Sequence, residues 1–226
     1  MTGPAISRRT ALRAAGAAAA GIAAASLAAC STGSSPAPST SKRSTVSPTA
    51  SDQRILLAYF SRPGENYWNG GRRMLDTGNT EILAELISDR IDCDVVRIEA
   101  AEPYSDSYDD TVARNVREQN GDARPDISSD LPDLGGYDTV LLGSPIWNVQ
   151  PPMIMATFAE VVDLSGKRLL PFVTYAVSGL GSTESFYRDL DTGATLGKGL
   201  AVRGEEVRDS GAGTDVDQWL RAAGLI

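Results

Sequence analysis

The sequence predicts an α/β fold, a three-layer sandwich on a five-stranded parallel sheet. From position 54 onward, short apolar runs alternate five times with helix-like stretches, the pattern of a parallel sheet covered on both faces. The runs at 54–60 and 139–142 are almost continuously apolar rather than alternating, as suits strands buried on both sides. No internal repeat competes with this reading.

The elements follow in order. "RILLAYF" (Arg54–Phe60) reads as an interior strand, and "TEILAELISDRI" as a helix with Ile82, Leu83, Leu86, Ile87 and Ile91 on one face. "DVVRIEA" is a short second strand. "YDDTVARNVREQNG" (Tyr108–Gly121) carries a weak helical stripe through Val112 and Val116. "DTVLLGSPIW" (Asp138–Trp147) is a third strand, and "PMIMATFAEVV" (Pro152–Val162) a helix with proline in its first turn. "KRLLPFVTY" is the fourth strand, although Pro171 argues against a regular centre. "STESFYRDL" is a short helix, "ATLGKGLAV" the fifth strand and "TDVDQWLRAAGL" the closing helix. The connection Glu99–Asp109 and the piece "DARPDISSDLPDLGG" read as surface excursions.

Residues 1–29 stand apart. "SRRTALR" precedes an Ala-rich apolar run that ends in "LAAC", Leu27–Cys30. A basic start and a small-residue apolar core make an export signal; the Arg8–Arg9 pair is of the twin-arginine type, and "LAAC" resembles a lipoprotein processing site with Cys30 lipidated. The other reading, an uncleaved anchor helix, is disfavoured because the run is short and Ala/Gly-rich against the roughly 20 apolar residues a span needs. Residues 30–51 are rich in Ser, Thr and Pro and cannot bury enough surface to order themselves, so they read as a tether. The folded domain is then 52–226, placed outside the cytoplasm and anchored to the membrane through lipid on Cys30.

Composition excludes several chemistries. Five of the 21 basic residues precede Asp52, leaving 16 against 29 acids, a net charge of −13. That disfavours nucleic acid and anionic lipid, and favours a redox partner with a basic patch. With no histidine and two cysteines, no Ser–His or Cys–His nucleophile exists, and no metal is expected. Cys93, in "CDVVRI", reads as a small buried hydrophobe.

In an open parallel sheet, ligands bind beyond the carboxyl ends of the strands. Three loops qualify. After Phe60 the chain reaches "TGNT" (Thr77–Thr80) at a helix start without a capping box, where an anion can meet free N–H groups; Thr and Asn are also ordinary caps. After Gly143, "GSPIWNVQPP" offers Trp147 as a flat platform, or as a ring packed under its own loop. After Thr174, "YAVSGLGS" can bring backbone groups to a ring edge, or simply turn. Together they imply a phosphorylated planar cofactor.

The strings "AYFSR", "TGNT", "AEPY", "REQNGDARP", "GSPIW" and "SGLGS" resemble the flavodoxin-like proteins, a short-chain group in particular, over Arg54–Gly204. The resemblance implies strand order 2-1-3-4-5 and flavin mononucleotide (FMN) at the strand ends. Carried over, Ser61, Thr77, Gly78, Asn79 and Thr80 hold the phosphate. Pro145, Ile146, Trp147 and Asn148 flank one side of the ring; Thr174, Tyr175, Ala176, Ser178 and Gly179 border the other. Two departures stand out: the fourteen residues Pro63–Asp76 separate "SR" from "TGNT", and Asn148 follows the Trp where relatives often have a second aromatic.

The function this implies is FMN-dependent electron transfer with a redox protein partner or small electron acceptor. The alternatives are an FMN-dependent NAD(P)H or quinone oxidoreductase, a deazaflavin protein, and a cofactor-free binding protein on the same fold. The insert, with Tyr67, Trp68, Arg72 and Arg73, is expected as a compact excursion that covers the phosphate edge, docks a partner or merely decorates the surface.

Overall fold

In the computed structural model, which describes residues 53–226, β1 (Ile55–Tyr59) is central and wholly buried. The chain then forms a two-stranded antiparallel hairpin, β2 (Gly64–Trp68) and β3 (Gly71–Leu75), before α1 (Asn79–Ser88). It continues through β4 (Asp94–Arg97), α2 (Tyr108–Asn120), β5 (Thr139–Pro145), α3 (Ile154–Val161), β6 (Arg168–Tyr175) and α4 (Thr183–Asp189). It ends with β7 (Thr195–Leu196), β8 (Leu200–Arg203) and α5 (Ser210–Ala223). The export signal, Cys30 and the whole tether lie outside the described residues.

The main sheet is parallel in the order β4-β1-β5-β6, with β7 and β8 both on the outer side of β6. With β7 and β8 taken as one interrupted strand, this is the expected 2-1-3-4-5 arrangement. Alternate residues of β1 point to opposite faces. Leu57 and Tyr59 pack with Leu83 and Ile87 of α1 and Val216 and Trp219 of α5. Leu56 and Ala58 pack with Ile154, Met155 and Phe158 of α3. Each face thus has its own apolar layer, which explains why the interior strands read as continuous apolar runs.

Pro171 stands in β6 after all, in register with Leu142 of β5. The carbonyl of Leu169 accepts from Gly197 on the outer side, so by the period of two Pro171 also faces outward, where it has no N–H to offer. Opposite that gap the fifth strand breaks between Leu196 and Leu200. The carbonyl of Lys198, in the break, accepts instead from Nε1 of Trp219 at 2.9 Å.

The expected stripe on α2 is corrected. Val112 and Val116 are 42% and 39% exposed, whereas Thr111, Asn115 and Glu118 are buried. The reason is what α2 packs against. Thr111 donates to the Ser105 carbonyl (2.8 Å), Glu118 accepts from the Tyr104 hydroxyl (2.8 Å), and Gln119 donates to the Trp147 carbonyl (3.0 Å). A helix laid on loop backbone buries hydrogen-bonding side chains, not an apolar stripe.

Candidate functional site

The loops after β1, β5 and β6 end at one edge of the sheet and line a single cleft. Of the residues singled out by sequence, Ser61, Asn79, Thr80, Pro145, Ile146, Trp147, Thr174, Tyr175 and Ala176 line it. Thr77, Gly78, Asn148, Ser178 and Gly179 do not. Gly78 instead caps α1 from behind the cleft, and a Cβ there would lie 2.3 Å from Ser61 Oγ and 2.6 Å from the Arg62 carbonyl oxygen. Only glycine allows that approach.

At the start of α1 no side chain of the cap residue accepts a hydrogen bond. Ser61 Oγ takes over part of that role, accepting from the Glu81 N–H at 3.1 Å. Among the described residues no partner is found for the N–H groups of Asn79 and Thr80. The α1 start therefore keeps donors for an anion, but fewer than an uncapped helix offers. Thr80 and Thr174 share a buried hydrogen bond of 2.8 Å between hydroxyls, which joins the first and third loops at the base of the cleft. Arg208 donates to Asn79 Oδ1 (2.6 Å) and to the Thr77 carbonyl (2.8 Å). A guanidinium only donates, so Asn79 turns its oxygen to Arg208 and its NH2 group toward Gly204.

Trp147 is expected either as a platform for a flat ligand or as a ring packed under its own loop. Its ring packs edge-on to Phe60 and Tyr104, at centroid distances of 5.7 and 5.1 Å, and it also lines the cleft. It opens a tight turn closed by Trp147 N–H to the Gln150 carbonyl (2.9 Å), with Asn148 at φ 49° and Val149 at φ 74°. A β-branched residue in that region is strained. The turn is clasped from both sides: Asn148 donates to Gln119 Oε1 (2.8 Å), and the Val149 carbonyl accepts from Ser182 N–H (2.8 Å). Gly181, at φ 52°, leaves space for that carbonyl, which would lie 2.0 Å from a Cβ there.

The cleft also holds residues that sequence reasoning did not assign to it: Arg62, Asn66, Tyr67, Tyr108, Gly204 and Glu205. Asn66 and Tyr67 come from the hairpin, whose basic and aromatic composition was the available signal. Gly204 and Glu205 follow β8, and no motif marked them. Arg62 is 8% exposed, its guanidinium is held by the carbonyls of Ser105, Asp106 and Glu65, and its Nε has no partner among the described residues. Burial pushes its pKa down, against the pull of Asp106 and Glu65. Cys93 lies away from this edge, half-buried, with its thiol pushed up to about 11 by burial and by Asp92 and Asp94. Such a thiol is a poor nucleophile. Among the described residues no cluster of three His, Cys, Asp or Glu side chains is suited to a metal ion.

A flavodoxin family model matches residues 73–222. The chain belongs to the flavodoxin family. That match begins inside the hairpin, within β3, and leaves β1 outside. Among solved structures, the flavodoxin domain is similar to two proteins designated flavoproteins. One, from Bacteroides eggerthii, is 28% identical with a TM-score of 0.60 and covers 75% of this chain and 96% of its own. The other, from Bacteroides uniformis, is 28% identical with a TM-score of 0.59, covering 75% and 98%. A flavoprotein from Lactobacillus acidophilus, in complex with FMN, shares the fold at 20% identity and a TM-score of 0.53, covering 74% and 98%. No curated protein matches the chain.

Proposed function

We propose that the cleft binds FMN and that the protein is an electron carrier held at the outer face of the membrane by lipid on Cys30. The observation that carries this reading is the convergence of three strand-end loops, which sets the anion-accepting start of α1 in one cleft with Trp147 and Tyr175. The fold of the Lactobacillus FMN complex supports it.

When bound, the flavin supplies the redox chemistry. The chain's own residues bind and orient it. The N–H groups of Asn79 and Thr80 and the hydroxyls of Ser61 and Thr80 receive the phosphate. Trp147, braced by Phe60 and Tyr104 and clasped through its carbonyl by Gln119, offers a fixed aromatic face. No side-chain acid or nucleophile is needed, in keeping with the absence of histidine.

The reading is tested by adding FMN to the purified protein and recording absorbance and fluorescence. Quenched flavin fluorescence and a visible spectrum that bleaches with dithionite are expected. Protein that binds no FMN overturns the reading. Negligible steady-state turnover with NADH, NADPH or quinones is expected of a carrier, and sustained turnover replaces it with an oxidoreductase. For the anchor, a C30S variant is expected to leave the membrane fraction.

A further inference from the structure

The hairpin is fastened at three places. Its base is tied by Arg62, which donates to the Ser105 carbonyl at 2.8 Å and also to that of Glu65. Its body is tied to the start of α2: Glu65 Oε2 accepts from Tyr108 N–H (3.2 Å), and the Arg72 guanidinium lies 3.4 Å over the Tyr108 ring and 3.3 Å from Asp109. Its tip is tied to the far side, where Asn69 N–H donates to Glu205 Oε1 at 3.0 Å. Tyr108 and Glu205 both line the cleft, so the hairpin spans it from wall to wall. The cross-strand partner of Tyr67 is the fastened Arg72. Asn148, next to the Trp147 platform, is exposed and turned to Gln119, so that loop brings no second ring.

We propose that the hairpin is the roof of the flavin site and that Tyr67 is a flavin-contacting residue, supplying an aromatic wall that the Trp147 loop lacks. The proposal rests on the FMN reading. Contact with the ring is indifferent to the phosphate, so Tyr67 acts equally on FMN and on riboflavin.

The test is titration of the full chain and its Y67F, Y67W, Y67L and Y67S variants with FMN and with riboflavin, following flavin fluorescence. Loss of the aromatic ring in Y67L and Y67S is expected to weaken both flavins by a similar factor of about tenfold and to leave the bound flavin brighter, while Y67F and Y67W stay within about threefold of the parent. Unchanged affinity and quenching in Y67L and Y67S overturn the roof and leave the FMN reading standing. Weakening of FMN alone also overturns it, because the effect then belongs to the phosphate. A parent protein that binds neither flavin overturns the FMN reading and the roof with it. Circular dichroism shows which variants fold, and either non-aromatic variant suffices.

Discussion

Tyr104 and Tyr187 are both buried, but their hydroxyls differ. Tyr104 donates to Glu118, which also accepts from Arg114 at 2.6 Å. Among the described residues the buried hydroxyls of Tyr187 and Ser144 have no close hydrogen-bond partner, but they face each other, and Ser144 pulls the Tyr187 pKa down against burial. Removing a donor from a buried carboxylate costs about 2 kcal/mol, whereas removing a hydroxyl that is only weakly paired costs about 1 kcal/mol or less. Y104F is thus expected to lower the urea midpoint by more than Y187F does. The same residues set the alkaline limit. Burial raises the pKa of Tyr59, Tyr104 and Tyr187, with Glu81 adding to it at Tyr59 and Glu118 at Tyr104, and the Cys93 thiol rises to about 11. Each folded-state value lies above that of the unfolded chain, so the stabilisation is whole below about pH 8, where the unfolded thiol starts to ionise, and is lost as pH climbs through the folded values. Urea midpoints are expected to hold from about pH 7 to 8 and to fall beyond that.

At the scale of elements, α2 and the fifth strand show where local pattern misleads. The two valines of α2 are apolar and helically spaced, yet the face that packs is the one that can serve loop carbonyls. V112A and V116A are each expected to change stability by less than about 0.5 kcal/mol, because exposed positions tolerate truncation. T111V, by contrast, removes the buried hydroxyl that donates to the Ser105 carbonyl and is expected to destabilise by about 1 kcal/mol. Chemical denaturation of the three variants decides between the faces. Pro171 marks a different kind of effect. Its proline ring does not expel it from the sheet, and the missing N–H is accommodated by the neighbouring strand, which breaks around Lys198. The sequence places the proline, but which neighbour yields depends on which side of β6 it faces.

Over the whole molecule the dominant feature is charge: net −13 from position 52 onward. At a Debye length of about 8 Å in physiological salt, such a field steers partners at low ionic strength and is screened at high. In stopped-flow mixing, the reduced FMN-loaded protein is expected to react more slowly with a cationic acceptor as salt rises and faster with an anionic one. Equal salt responses would show that the field at the cleft differs from that of the whole.

Much of this protein was legible in one dimension. Continuous apolar runs fix interior parallel strands, because burial on both faces leaves no polar side to write. Loop residues at the strand ends mark the cleft, because a parallel sheet places all those ends on one edge. What sequence could not supply was contact between segments far apart in the chain. That Tyr67 reaches the cleft depends on Asn69 meeting Glu205, 136 positions away, and on Arg72 meeting Tyr108. That Asn148 turns aside depends on Gln119, and that α2 buries polar side chains depends on the loops beneath it. Composition and periodicity carry the cost of exposing a side chain to water, which is local. Which partner satisfies a buried donor or acceptor is decided only when the chain has folded.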